Sequence, residues 1–216
     1  MLIIVGMIAG LLSVVPVLED PRHLDLIAAH EGQILTGAAA QFVMIPAYLG
    51  FALCLYPALR RANEALSLGF VGFRLIAATF HFVGVILLPL FLVPGQEPAV
   101  GELLRTARDL VNHVALIIAL SLGDLLLFAV LYRSRYIPRW LSVWGLLGAA
   151  FAMSASFLVL FGLTEVVTPL YLGMNVPPAL HGLVLAVWLL VKGFDERRVA
   201  GAAGLTAPGH AGHYAA

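Results

Sequence analysis

Charge is what this chain has least of. Only 11% of its 216 residues are Asp, Glu, Lys or Arg, where an average soluble domain carries about 25%. So few charged side chains could not cover a soluble globule in which 62% of residues are hydrophobic. Lys plus Arg and Asp plus Glu both count 12, for a net charge of zero. That balance leaves no basic field for nucleic acid and no acidic tail. Cysteine is nearly absent as well. Cys54 is the single one, so no intrachain disulfide can form. The catalytic signatures HExxH, CxxC and GxSxG are missing, and so are a phosphate-binding loop and a voltage-sensing string of Arg. Intrinsic disorder, collagen and disulfide scaffolds fail on the same composition.

What is present is long apolar runs, and about 20 such residues suffice for a helix to span a bilayer. Six blocks stand out: Leu2–Leu18, Ile34–Leu59, Leu68–Val93, Leu110–Tyr132, Trp140–Leu163 and Pro169–Val191. The first lacks a preceding Lys or Arg and a small-residue cleavage site, so it reads as a short span rather than a signal peptide. The expected fold is all-α: an integral membrane bundle of six transmembrane helices over residues 1–199. A flexible cytoplasmic tail follows over 200–216, where His210 and His213 are read as part of a loose, small-residue segment.

Orientation follows from the connections. Arg60, Arg61, Arg133, Arg135, Arg139, Lys192, Arg197 and Arg198 fall on one side of the six spans, against Arg22, Arg105 and Arg108 on the other. The positive-inside rule then puts both termini in the cytoplasm. Tyr132, Tyr136, Trp140 and Trp144 gather at the same basic side, as an interfacial aromatic belt would. In the first connection, Asp20 as N-cap and Pro21 at the first helical position predict a short interfacial helix.

Three stretches carry a family resemblance: "LYPALRRANEALSLGFVGFRLI", "LYRSRYIPRWLSVWGLLGA" and "LVLAVWLLVKGF". In order and spacing, from about Val5 to Phe194, the chain resembles domain-of-unknown-function family 4386, a group of bacterial polytopic membrane proteins. The resemblance implies this helix count and a multi-pass protein of the bacterial cytoplasmic (inner) membrane, and it implies no activity. The family pattern has an acid three residues after Arg74, where this chain has Ala77. It has Gln-Glu in the last helix, where this chain has His181 and Gly182.

Ionisable groups within spans are costly and call for a reason. With a rise of about 1.5 Å per residue, Arg74 and Asp124 both lie roughly 9–12 Å from the cytoplasmic end of their spans, and His81 and His181 roughly 16–20 Å. Asn112, His113 and Asn175 lie nearer the outer face. Arg74 and His81 are seven apart and share a face; Ile117, Leu120 and Asp124 continue a stripe from His113. Turning both faces inward pairs Arg74 with Asp124, either as a structural ion pair or as a proton relay or ligand counter-ion. His81 and His181 read either as neutral core histidines or as axial ligands to a haem or a metal. Pro177-Pro178 interrupts the sixth apolar block beside Asn175 and His181, as broken helices that line cavities do. Gln41 and Tyr48 could face the same cavity.

The function expected is a membrane-embedded protein binding a small or lipidic ligand in an intramembrane polar cavity built from Arg74, His81, Asp124, Asn175 and His181. A haem- or metal-binding redox protein and a small proton-coupled transporter are the alternatives, and catalysis is left open. The partners expected are the lipid bilayer and a small hydrophobic ligand, with a homo-oligomer left open and nucleic acid excluded.

Overall fold

The computed structural model describes residues 1–20, 26–195 and 197–200, and these are helical with no strand among them. In chain order the helices are α1 (Leu2–Leu12), α2 (Glu31–Leu59), α3 (Glu64–Leu90), α4 (Pro98–Asp109), α5 (Leu116–Ser134), α6 (Arg139–Leu160) and α7 (Pro169–Val191). A six-residue π-helical stretch, Leu110–Ala115, joins α4 to α5 without a break. Five of these segments are long and apolar enough to cross a membrane: α2, α3, the continuous Pro98–Ser134 rod, α6 and α7.

The sixth, α1, is shorter than expected. It has 11 residues, a length of about 16 Å at 1.5 Å per residue. The apolar run drawn to Leu18 breaks at Ser13, whose N–H bonds back to the carbonyls of Ala9 and Gly10. Pro16 explains the break. It has no N–H to extend the helix and disfavours helical backbone at Val15, and a short 3₁₀ turn, Pro16–Glu19, follows instead. Pro21 and residues 22–25 lie outside the described residues, so the proposed cap there is not seen. A 3₁₀ turn over Ile27–His30 leads into α2. The tail from residue 201 also lies outside the described residues.

Local chemistry sets the other boundaries. Asn63 adopts extended backbone and its side chain accepts from the Leu66 N–H at 2.9 Å, with Glu64 in the first turn of α3. Such a cap contributes about 1 kcal/mol. Thr168 caps α7 in the same way, with Pro169 in the first turn. The charged stretch before Leu110 forms α4, whose Arg105 pairs with Glu102 at 2.6 Å, a polar extension ahead of the apolar rod. The interruption expected at Pro177-Pro178 does not occur: α7 runs through both prolines. Gly148 of α6 packs against the backbone of Pro178, where a Cβ would come within 3.1 Å of its Cα.

Neighbours in sequence are neighbours in space. α1 lies on α2, α2 on α3, α3 on α5, α5 on α6 and α6 on α7, while α1 and α7 touch only lightly. The six helices thus form a ring with one loose seam. At one end, Phe70, Leu127, Phe128, Leu131, Leu141 and Leu185 form the largest apolar cluster. At the other, Val15, Leu18, Ile34, Leu88 and Phe91 form a second.

Candidate functional site

The ring surrounds a partly open cavity of about 510 Å³, to which all six of its helices contribute. Its wall is mainly apolar: Ile3 and Met7 of α1, Phe51 of α2, Ile117, Leu120, Leu127 and Phe128 of α5, and Leu185 of α7. Small side chains of α6, at Ala149 and Ala152, leave the space that larger ones would fill. Tyr48, Arg74, Ser121, Asp124, Asn175 and His181 are its polar members.

Arg74 and Asp124 meet as the depth count predicts. An Arg74 Nη2 donates to Asp124 Oδ1, joining α3 to α5. The two sides of the pair are not equally accessible. The Arg74 side chain is 8% exposed and that of Asp124 28%. Asp124 lies deep in the bundle, so its free surface is the part facing the cavity. Arg74 is sandwiched instead, with its guanidinium carbon 5.4 Å from the Phe70 ring centre and 6.0 Å from that of Tyr48. These cation–π contacts suit a guanidinium away from water. Ala77, one turn on, is buried against Leu116 and Ala119, so its small side chain serves close packing of α3 on α5.

Tyr48 links this pair to His81. The two rings stack at 6.2 Å with 12° between their planes. A Cβ on Gly6 would come within 2.8 Å of the Tyr48 ring, so a glycine is what lets α1 lie over it. His81 is 3% exposed, and among the described residues neither ring nitrogen has a hydrogen-bond partner. Gln41 does not line the cavity. Its Oε1 and the Asn112 Oδ1, both unpartnered, close on Gly84, where a Cβ would lie 2.9 and 2.6 Å from them.

His181 is equally buried but differently held. Its Nε2 lies 2.9 Å from the Leu141 carbonyl, and its ring packs edge-on between Phe128 at 4.8 Å and Trp144 at 5.5 Å. The two histidines share no hydrogen bond and no ring contact. Among the described residues no group of three or more His, Cys, Asp or Glu side chains could hold a metal ion. Nε2 of His181 is thus engaged by a backbone carbonyl.

Towards the opposite end, the π-helical stretch turns His113 to Tyr171 of α7, with 2.9 Å between Nδ1 and the phenol oxygen. Ser156 of α6 donates to the His113 carbonyl at 2.7 Å and so ties down the wide turn. Asn175 donates to the Tyr171 carbonyl at 2.9 Å and lines the cavity. Of the residues singled out in the sequence, Arg74, Asp124, Asn175 and His181 therefore come to one cavity, together with Tyr48 and Pro178, while His81 stands behind Tyr48. Ser121 and Phe128 escaped the sequence reading. Ser121 lies three residues before Asp124, on the same helical face, and that spacing was its available signal.

The family described as Domain of unknown function (DUF4386) matches residues 1–193. No curated protein and no solved structure matches the chain.

Proposed function

The chain belongs to the DUF4386 family, and from that premise and the geometry of the cavity we propose that it is a membrane-embedded binding protein for a small or lipidic ligand. One observation carries this reading: an Arg–Asp pair in the wall of a cavity of about 510 Å³, with the carboxylate part open to that space. Ligand pockets typically have volumes of about 300–1,000 Å³, apolar walls and a few convergent polar groups. An ion pair serving only to register two helices has no need of a cavity beside it. Asn175 and Ser121 add hydrogen-bonding positions along the same wall.

The bacterial cytoplasmic membrane is the proposed location, with the lipid bilayer as solvent and both termini cytoplasmic. The excess of Lys and Arg in the connections on that side supports the orientation. In a Cys54→Ser background, Val100→Cys is expected to react with an impermeant maleimide added outside, and Ala62→Cys to be protected; the reverse pattern would invert the topology.

The binding reading is tested by extracting purified protein with organic solvent and comparing the small molecules released, by mass spectrometry, between wild type and Ala149→Phe. The added ring projects into the cavity. A compound enriched in the wild type and absent from the variant is expected. Identical extracts would leave the cavity without an occupant and the proposal without support.

A further inference from the structure

The cavity has a polar floor and an opening, and together they define a class of ligand. The floor is asymmetric. Both members of the Arg74–Asp124 pair line the cavity, and the acceptor offers it more surface than the donor, at 28% against 8% exposure. Arg74 has spent an Nη2 on Asp124, and its Nε, though without a partner among the described residues, is buried away from the cavity space. A carboxylate or phosphate entering the cavity would meet chiefly the wrong member of the pair. A hydrogen-bond donor would meet the right one, since an ionised carboxylate accepts at about four lone-pair positions and Arg74 occupies one. The pair is neutral as a whole, so an uncharged donor is not penalised. A cation would add an uncompensated charge to an apolar chamber.

The opening lies between α1 and α7. Leu11 of α1 and Ala179 of α7 line the cavity and are both exposed, Leu11 at 78%. At these residues the cavity wall and the outer surface coincide. Gly182, also in the wall, has nothing within 4 Å of where a Cβ would sit. α1 is held chiefly by α2, through Gly6 on Tyr48, and only lightly by α7. At about 16 Å it covers only part of a hydrocarbon layer of about 30 Å.

We propose that this chain takes up a neutral amphiphile, an apolar chain or ring body carrying a hydroxyl, from the bilayer through the seam between α1 and α7, and that the hydroxyl donates to the cavity-facing oxygen of Asp124. The proposal rests on the cavity-binding reading above and adds to it the head group and the route. Water-borne solutes are not the ligand class, because the seam opens where the surrounding surface is Leu11, Leu12, Val176 and Leu183, all exposed.

The test uses full-length protein on beads, with Cys54→Ser, and radiolabelled dodecanol as the probe. Saturable retention is expected. Unlabelled dodecane, dodecanoate and dodecylamine should each compete about tenfold less well than dodecanol, and Asp124→Asn should weaken retention about tenfold, as loss of a hydrogen bond to a charged group does. The route is tested without that variant. Leu11→Cys with Ala179→Cys is joined across the seam by a cleavable bifunctional maleimide. Dodecanol bound before linking should be trapped, dodecanol added after linking should be excluded, and cleavage should reverse both. Retention that ignores the link while keeping its dependence on Asp124 would overturn the route and leave the cavity reading standing. Dodecylamine or dodecanoate outcompeting dodecanol would overturn the head-group assignment. No saturable retention of any of the four probes, together with identical solvent extracts from wild type and Ala149→Phe, would take the cavity reading down as well.

Discussion

Where α5 meets α3 and α6, glycines bring the helices together. A Cβ on Gly123 would come within 3.2 Å of Phe73 Cβ, and one on Gly145 within 2.6 Å of the Phe128 ring. On α7, a Cβ on Gly173 or Gly182 would meet nothing within 4 Å. The same residue type thus does opposite things on two sides of one ring. In a bilayer, helices gain no hydrophobic driving force from each other, and association depends on close packing and interhelical hydrogen bonds. The α3–α5–α6 side has both, in its glycine contacts and the Arg74–Asp124 pair. The α1–α7 side has neither, so it is where the ring can part. Stability is concentrated on one side and access on the other.

The largest effect should come from cutting the tight side at its ion pair. Asp124→Leu leaves Arg74 buried and unpaired, and the loss is expected to be about 3–5 kcal/mol. The double change Arg74→Leu with Asp124→Leu should recover much of that loss in reversible unfolding from detergent. A double variant as unstable as the sum of the singles would mean that the pair does not hold α3 to α5. A smaller loss is expected from Gly145→Ala. The new methyl meets a Phe128 ring that is itself packed against His181 at 4.8 Å, and overpacking of this kind costs about 1–3 kcal/mol. The matched change Gly182→Ala should be neutral, or stabilising by up to about 1 kcal/mol through the helix preference for alanine. Equal responses at the two glycines would erase the distinction between the sides.

Much of the frame was legible in the sequence because a bilayer imposes simple constraints. Five of the six apolar blocks became helices long enough to span. Counting residues from the basic ends brought Arg74 to Asp124, since a charge at depth must find a partner at the same depth. The absence of an acid at Ala77 pointed the same way. The exceptions have physical causes. Pro16 ended α1 early, whereas Pro177 and Pro178 stayed inside α7, where Gly148 of α6 gives Pro178 room to pack. Depth matched His81 with His181, but depth says nothing of the direction around the ring. One histidine stacks on Tyr48 and the other bonds the Leu141 carbonyl. The cavity itself was beyond periodicity. Residues facing lipid are as apolar as residues facing the core, so Leu11 and Leu127 look alike in the sequence and differ only in packing.

The most direct test of a lipid-accessible cavity ending at the ion pair is the reactivity of a thiol placed in its wall. Asn175→Cys, with Cys54→Ser, should react in membranes with an apolar, bilayer-soluble maleimide, and excess dodecanol should slow that reaction. The account predicts labelling and protection together. A thiol at position 175 that resists the bilayer-soluble reagent, or that reacts at the same rate with and without dodecanol, would contradict it.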